Sequence, residues 1–150
     1  MTSFLLDANV WLALAIPTHV HYEAARTWFD AAQEPASVLF CRTTQQSFLR
    51  LVTNPSVVAQ YGMPVPTNRE AWQAFEALLD DDRIALRPDE PAGLEQRWRD
   101  FAVRQTASPK LWMDAYLAAF ASAAGFRLVT LDTGFKQFPG LDLLLLGARP

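Results

Sequence analysis

Three aspartates stand where an aspartate is costly. Asp7 ends the apolar run Phe4-Leu5-Leu6, Asp132 follows Leu128-Val129-Thr130-Leu131, and Asp114 is the sole acid between Lys110 and Phe120. An ionised carboxylate among apolar neighbours is destabilising unless a cation or hydrogen bonds compensate. Brought together, three such groups make a hard, oxygen-rich site suited to Mg²⁺ or Mn²⁺. The chemistry such an ion supports most naturally is metal-assisted attack on a phosphate ester. Each acid also has a plainer reading: Asp7 as a helix N-cap, Asp132 as a turn residue before Gly134, Asp114 as a point on a solvated helix face. A capping role fits Asp114 least, since Ser108-Pro109 is expected to open its helix well upstream.

The elements that must carry these residues alternate along the chain. Ser3–Leu6, Ser37–Phe40, Arg83–Leu86, Arg127–Thr130 and Leu141–Leu146 read as short strands. Between them lie helical patterns over 9–15, 19–32, about 43–54, 67–79 and 91–104, then the apolar helix carrying Asp114, which Gly125 terminates. Thr43 or Thr44 is the expected cap of the third helix, Thr67-Asn68-Arg69-Glu70 has the cap-then-acid pattern, and Ser56–Pro66 reads as irregular. Strands alternating with helices imply βαβ units, a parallel sheet and helices on both its faces. In such sheets ligands bind beyond the C-terminal strand ends, where Asp7 and Asp132 both fall.

Composition narrows the classes. With 150 residues, 51% hydrophobic, five Trp and ten Phe, the chain suits one domain, 1–150, with a substantial core. No apolar run approaches a membrane span, and the N-terminus lacks the pattern of a signal peptide, so a cytoplasmic protein is expected. The single cysteine, Cys41, excludes an internal disulfide and a multi-cysteine zinc site, and reads as a small buried residue. A net charge of −3 argues against a strongly basic nucleic-acid coat, though not against an enzyme with a local basic rim. His19 and His21 read as solvated or capping residues, and the Trp residues mostly as core.

Leu5-Leu6-Asp7-Ala8-Asn9-Val10, Asp114-Ala115-Tyr116-Leu117-Ala118-Ala119 and Leu128 to Phe135 occur in the order and approximate spacing of PIN-domain ribonucleases. Phe48-Leu49-Arg50-Leu51-Val52-Thr53-Asn54-Pro55 and Phe135-Lys136-Gln137-Phe138-Pro139-Gly140-Leu141 add to the likeness, and the chain resembles a VapC-type toxin of a bacterial toxin–antitoxin pair. The resemblance spans essentially the whole chain. It implies a Rossmann-like three-layer α/β/α fold, dependence on Mg²⁺ or Mn²⁺, and endonucleolytic hydrolysis of RNA to 5′-phosphate and 3′-hydroxyl ends. A homodimer and a small cognate antitoxin as inhibitor are also implied.

Asp7, Asp114 and Asp132 are then the expected catalytic metal ligands, with Asn9, Gln46 and Thr130 supplying supporting hydrogen bonds. Arg42, Arg50 and Lys110 are the candidate RNA-backbone contacts, Arg50 lying four residues beyond Gln46 and so expected on the same helical face. One departure stands out. Many family members carry a second acid, usually Glu, early in the helix after the second strand, whereas here Arg42-Thr43-Thr44-Gln45-Gln46-Ser47 has none. A one-metal centre is therefore expected over a two-metal one. The alternative is a catalytically weak PIN-like domain that binds RNA or protein. A phosphatase with Asp7 as nucleophile ranks lower, because Asn9 stands where its general acid would be.

Overall fold

A computed structural model describes residues 2–147; Met1 and residues 148–150 lie outside the described residues. Its strands are β1 (Phe4–Leu6), β2 (Val38–Cys41), β3 (Ile84–Arg87), β4 (Arg127–Thr130) and β5 (Leu143–Leu145). They form one sheet in the order β3-β2-β1-β4-β5, and every pairing is parallel. β1 therefore sits in the middle, with the chain winding outward first through β2 and β3, then through β4 and β5. The sequence reading anticipated this three-layer α/β/α arrangement.

Alternation along the central strands divides the core in two. Leu6, Val38, Phe40 and Val129 point to one face, where they pack with α1 (Ala8–Ala15), α2 (Tyr22–Ala31), α3 (Arg42–Val52) and α5 (Asn68–Leu79). Leu5, Leu39, Cys41 and Leu128 point to the other, against α6 (Leu94–Ala102) and α7 (Leu111–Ala124). A strand buried on both faces needs apolar residues at every position, which is why β1 and β2 read as continuous apolar runs. Trp11, fully buried, stacks on Phe40 with ring centroids 3.7 Å apart and anchors α1 to the sheet. Two tryptophans escape the core, Trp72 at 48% and Trp112 at 53% exposure.

Three expectations about the helices need correction. α3 begins at Arg42 and takes Cys41 as N-cap; Thr44 is its third residue, whose hydroxyl accepts from the Cys41 N–H at 3.0 Å. The stretch read as irregular contains a short helix, α4 (Pro55–Val58), followed by a 3-10 turn over Ala59–Tyr61. Asn54-Pro55, where the third helical pattern ends, is also a start signal: Asn54 caps Ser56 N at 3.0 Å and Pro55 occupies the first helical position. Finally, α7 starts at Leu111 rather than at Ser108-Pro109, so Asp114 lies in its first turn. A carboxylate there interacts favourably with the helix dipole, a local role the sequence reading did not grant it. His19 is buried rather than solvated, its ring stacked on Tyr61, while its Nδ1 accepts from the His21 N–H at 3.0 Å, in keeping with the capping half of its reading.

Candidate active site

The C-terminal ends of β1 and β4 flank the point where the sheet reverses its winding, and the chain places one aspartate just beyond each. Asp7 caps α1, its Oδ1 accepting from Ala8 N at 2.7 Å, while its own N–H donates to Val129 O across the strand pair. Asp132 caps the 3-10 turn Thr133–Gln137, its Oδ1 accepting from Gly134 N at 2.8 Å. The plain capping readings of both residues are therefore true, and each still leaves lone pairs free. Thr130, wholly buried at the end of β4, ties the two together. Its hydroxyl donates to Asp7 Oδ2 at 2.8 Å and accepts from Asp132 N at 3.0 Å.

Asp114 reaches the same place from the first turn of α7. All three aspartates line one open cavity of about 430 Å³, with Asn9, Ser47, Arg50 and Lys110 also in its wall. Burial holds the Asp7 carboxyl above the usual carboxylate range, against the Thr130 and Ala8 hydrogen bonds and with smaller contributions from Asp114 and Asp132. Burial also raises Asp114, opposed by the Lys110 charge and reinforced by Asp132. The Lys110 ammonium lies 3.3 Å from Asp132 Oδ2 and 3.9 Å from Asp114 Oδ2, and its pKa is raised, first by the hydrogen bond to Asp132.

The donor set suits a hard divalent cation: carboxylate and amide oxygens, with neither His nor Cys in the cavity wall. Asn9 Oδ1, buried without a hydrogen-bond partner, is a further oxygen of the right kind. Among the described residues, however, no three acidic, histidine or cysteine side chains converge closely enough to hold a metal as they stand. The carboxylates of Asp114 and Asp132 gather around an ammonium instead. Positive charge is favoured at this spot, and a metal would compete with Lys110 for it.

The remaining candidates divide. Thr130 occupies the supporting position expected of it, and Arg50 faces the cavity. Gln46 does not: it is exposed and absent from the cavity wall, as is Arg42, whose guanidinium donates to Gln45 Oε1 at 2.7 Å. From α3 the cavity wall takes Thr43, Thr44, Ser47, Arg50 and Leu51, and from the α4 cap Asn54; Arg50 lies between Ser47 and Gln46 on the helix surface, close enough to both to line the cavity while Gln46 does not. Thr43, Asn54 and Met113 were missed by sequence reasoning. Among Gln45, Gln46 and Ser47, all able by type to hold a metal-bound water, only the rotation of α3 against the sheet selects Ser47.

The PIN domain model matches residues 4–141. The chain is also 59% identical over 142 residues to Ribonuclease VapC41 of Mycobacterium tuberculosis, covering 95% of this chain and 97% of that protein. It belongs to the PIN-domain family, in its VapC branch. Solved VapC-type structures share the fold at low identity. The M. tuberculosis toxin VapC20, described as cleaving the sarcin-ricin loop, superposes with a TM-score of 0.63 at 18% identity, covering 99% of this chain and 100% of that one. The DNA-bound VapBC of Salmonella typhimurium matches with a TM-score of 0.63 at 16% identity, covering 96% and 98%.

Proposed function

We propose that this VapC-type PIN domain is a metal-dependent endoribonuclease, the toxin of a toxin–antitoxin pair, acting in the cytoplasm with Mg²⁺ or Mn²⁺. The observation that carries the reading is the meeting of Asp7, Asp114 and Asp132, from three separate elements, in one cavity at the sheet's switch point. The name of the 59% identical relative, a ribonuclease, supports RNA as substrate. The VapBC assembly among the structural neighbours supports an antitoxin partner, and the resemblance to the family supports a homodimer.

Asp7, Asp114 and Asp132 would hold the ion, with Asn9 Oδ1 beside them. A divalent cation held there supplies Lewis acidity toward water and toward a phosphodiester oxygen. The chain's own residues do the rest. Thr130 fixes the Asp7 carboxylate and the Asp132 backbone relative to each other, so that two of the acids keep one geometry. Arg50 and Lys110, in the same wall, can take phosphate oxygens on either side of the bond to be cut. Asn54 and Ser47 offer hydrogen bonds to a ribose or base edge.

Purified protein should cleave single-stranded RNA in Mn²⁺ or Mg²⁺ and lose that activity in EDTA. Asp114→Asn, folded and equally pure, should be inactive. Cleavage by Asp114→Asn at the wild-type rate would end this reading, and inert wild-type protein would favour a non-catalytic RNA- or protein-binding domain.

A further inference from the structure

Lys110 breaks a local rule. It is the N-cap residue of α7, a 14-residue helix, and its side chain makes no capping hydrogen bond. Cap positions favour Ser, Thr, Asp and Asn, and a cation at a helix N-terminus opposes the helix dipole. A residue that violates its element's preference in this way is compensated elsewhere, most often at a functional site. Here the compensation is visible: the ammonium reaches both Asp114, one turn along the same helix, and Asp132, just beyond β4.

We infer that Lys110 is a tethered cation of the active centre: with no metal bound it pairs with Asp132 and offsets part of the charge that Asp132 and Asp114 share, and when a metal takes those carboxylates it turns to the RNA phosphate. The inference rests on the metal-dependent reading above. Three observations carry it. The side chain is 80% exposed, so its ion pairs are screened and readily exchanged, and the ammonium is free to swing. The cavity holds three carboxylates against Arg50 and Lys110, and α3 adds no acid to it. One divalent ion therefore makes the wall net positive, matched to a phosphodiester, and leaves no anionic ligand uncommitted for a second ion.

The third observation is position. Lys110 and Asp114 also line a smaller neighbouring cavity of about 260 Å³, whose wall includes Arg104, Ser108 and Gln137. Lys110 thus stands on the ridge shared by the two cavities. A strand crossing from the Arg50 side to the Arg104 side passes over it, with a phosphate within reach of the ammonium once that group is released.

The test is Lys110→Met, with Lys110→Arg as the variant that keeps the charge, read by Mn²⁺ titration with calorimetry and electron paramagnetic resonance. Removing a competing cation from beside two carboxylates should tighten Mn²⁺ binding by about tenfold. At saturating Mn²⁺ the KM for a short RNA oligonucleotide should rise by a similar factor. The two effects have opposite signs, which a merely structural lysine would not produce. Lys110→Arg should bind Mn²⁺ as wild type does, with one ion per chain. Unchanged or weaker Mn²⁺ binding in Lys110→Met overturns the inference, and tighter binding with an unchanged KM overturns its phosphate half. Wild-type protein that binds no Mn²⁺ overturns the metal-dependent reading itself.

Discussion

Asp7 shows how one residue can serve the fold and strain it. As N-cap it gives α1 a start, yet burial lifts its pKa above the ordinary 3.8. A raised folded pKa means that folding takes up a proton between 3.8 and the folded value, so ionised Asp7 destabilises the native state fully above that window and not at all below 3.8. Asp7→Asn keeps a good cap and removes the charge. In metal-free buffer at neutral pH it should be more stable than wild type by on the order of 1 kcal/mol, while losing RNA cleavage. Thermal melts should show the gain shrinking as pH falls through the window, and a gain independent of pH would assign it to something other than this carboxylate. Thr130→Val tests the partner. It strands the Asp132 N–H and removes a hydrogen bond from Asp7, so urea unfolding should report a loss of about 1–3 kcal/mol, with cleavage reduced as well. An unaltered urea midpoint would mean that water replaces the hydroxyl without cost.

At the scale of elements, what was legible in the sequence depended on how many residues carried the signal. The strands announced themselves as apolar runs, and α5 through the Thr67–Glu70 capping box, which the structure contains. Four-residue α4 has too few positions for a period to show, and its cap was hidden inside the stop signal of α3. Asp7 and Asp132 were legible because strand ends place a residue by topology alone. Gln46 was misplaced for the opposite reason: periodicity says which residues of a helix share a face, and only packing says where that face looks. On α3 the deciding contact is buried Phe48 in the sheet-side core, which sends Ser47 toward the aspartates and Gln46 to solvent. Ser47→Glu should therefore tighten Mn²⁺ binding in a calorimetric titration, by about tenfold if the new carboxylate reaches the ion, and Gln46→Glu should leave it unchanged. Equal effects from the two substitutions would mean that the response is to net charge alone.

For the whole molecule, the acidic cavity is where metal and antitoxin would meet. Asp132 already accepts a hydrogen bond from one ammonium, with Asp114 ion-paired to it at 3.9 Å, and an Arg or Lys supplied by an antitoxin could bind the same carboxylates by charge-assisted hydrogen bonds. Two cations competing for one set of oxygens are linked reciprocally. Saturating Mn²⁺ should weaken the antitoxin's hold, and the antitoxin should weaken Mn²⁺ binding by the same factor, both measurable by titration calorimetry. Antitoxin affinity indifferent to Mn²⁺ would place the inhibitory contact away from the aspartates.

The hydrogen bond between Thr130 and Asp7 joins residues 123 positions apart, and β1 finds its β4 neighbour only through that late segment. During synthesis the first strand leaves the ribosome long before the strand that completes its active end. A growing chain holds Asp7 early but gains Asp114 and Asp132 late, so no fragment that ends before Asp132 carries the full set. If the three aspartates together cut RNA, the nascent chain lacks that means for most of the time the ribosome spends making it.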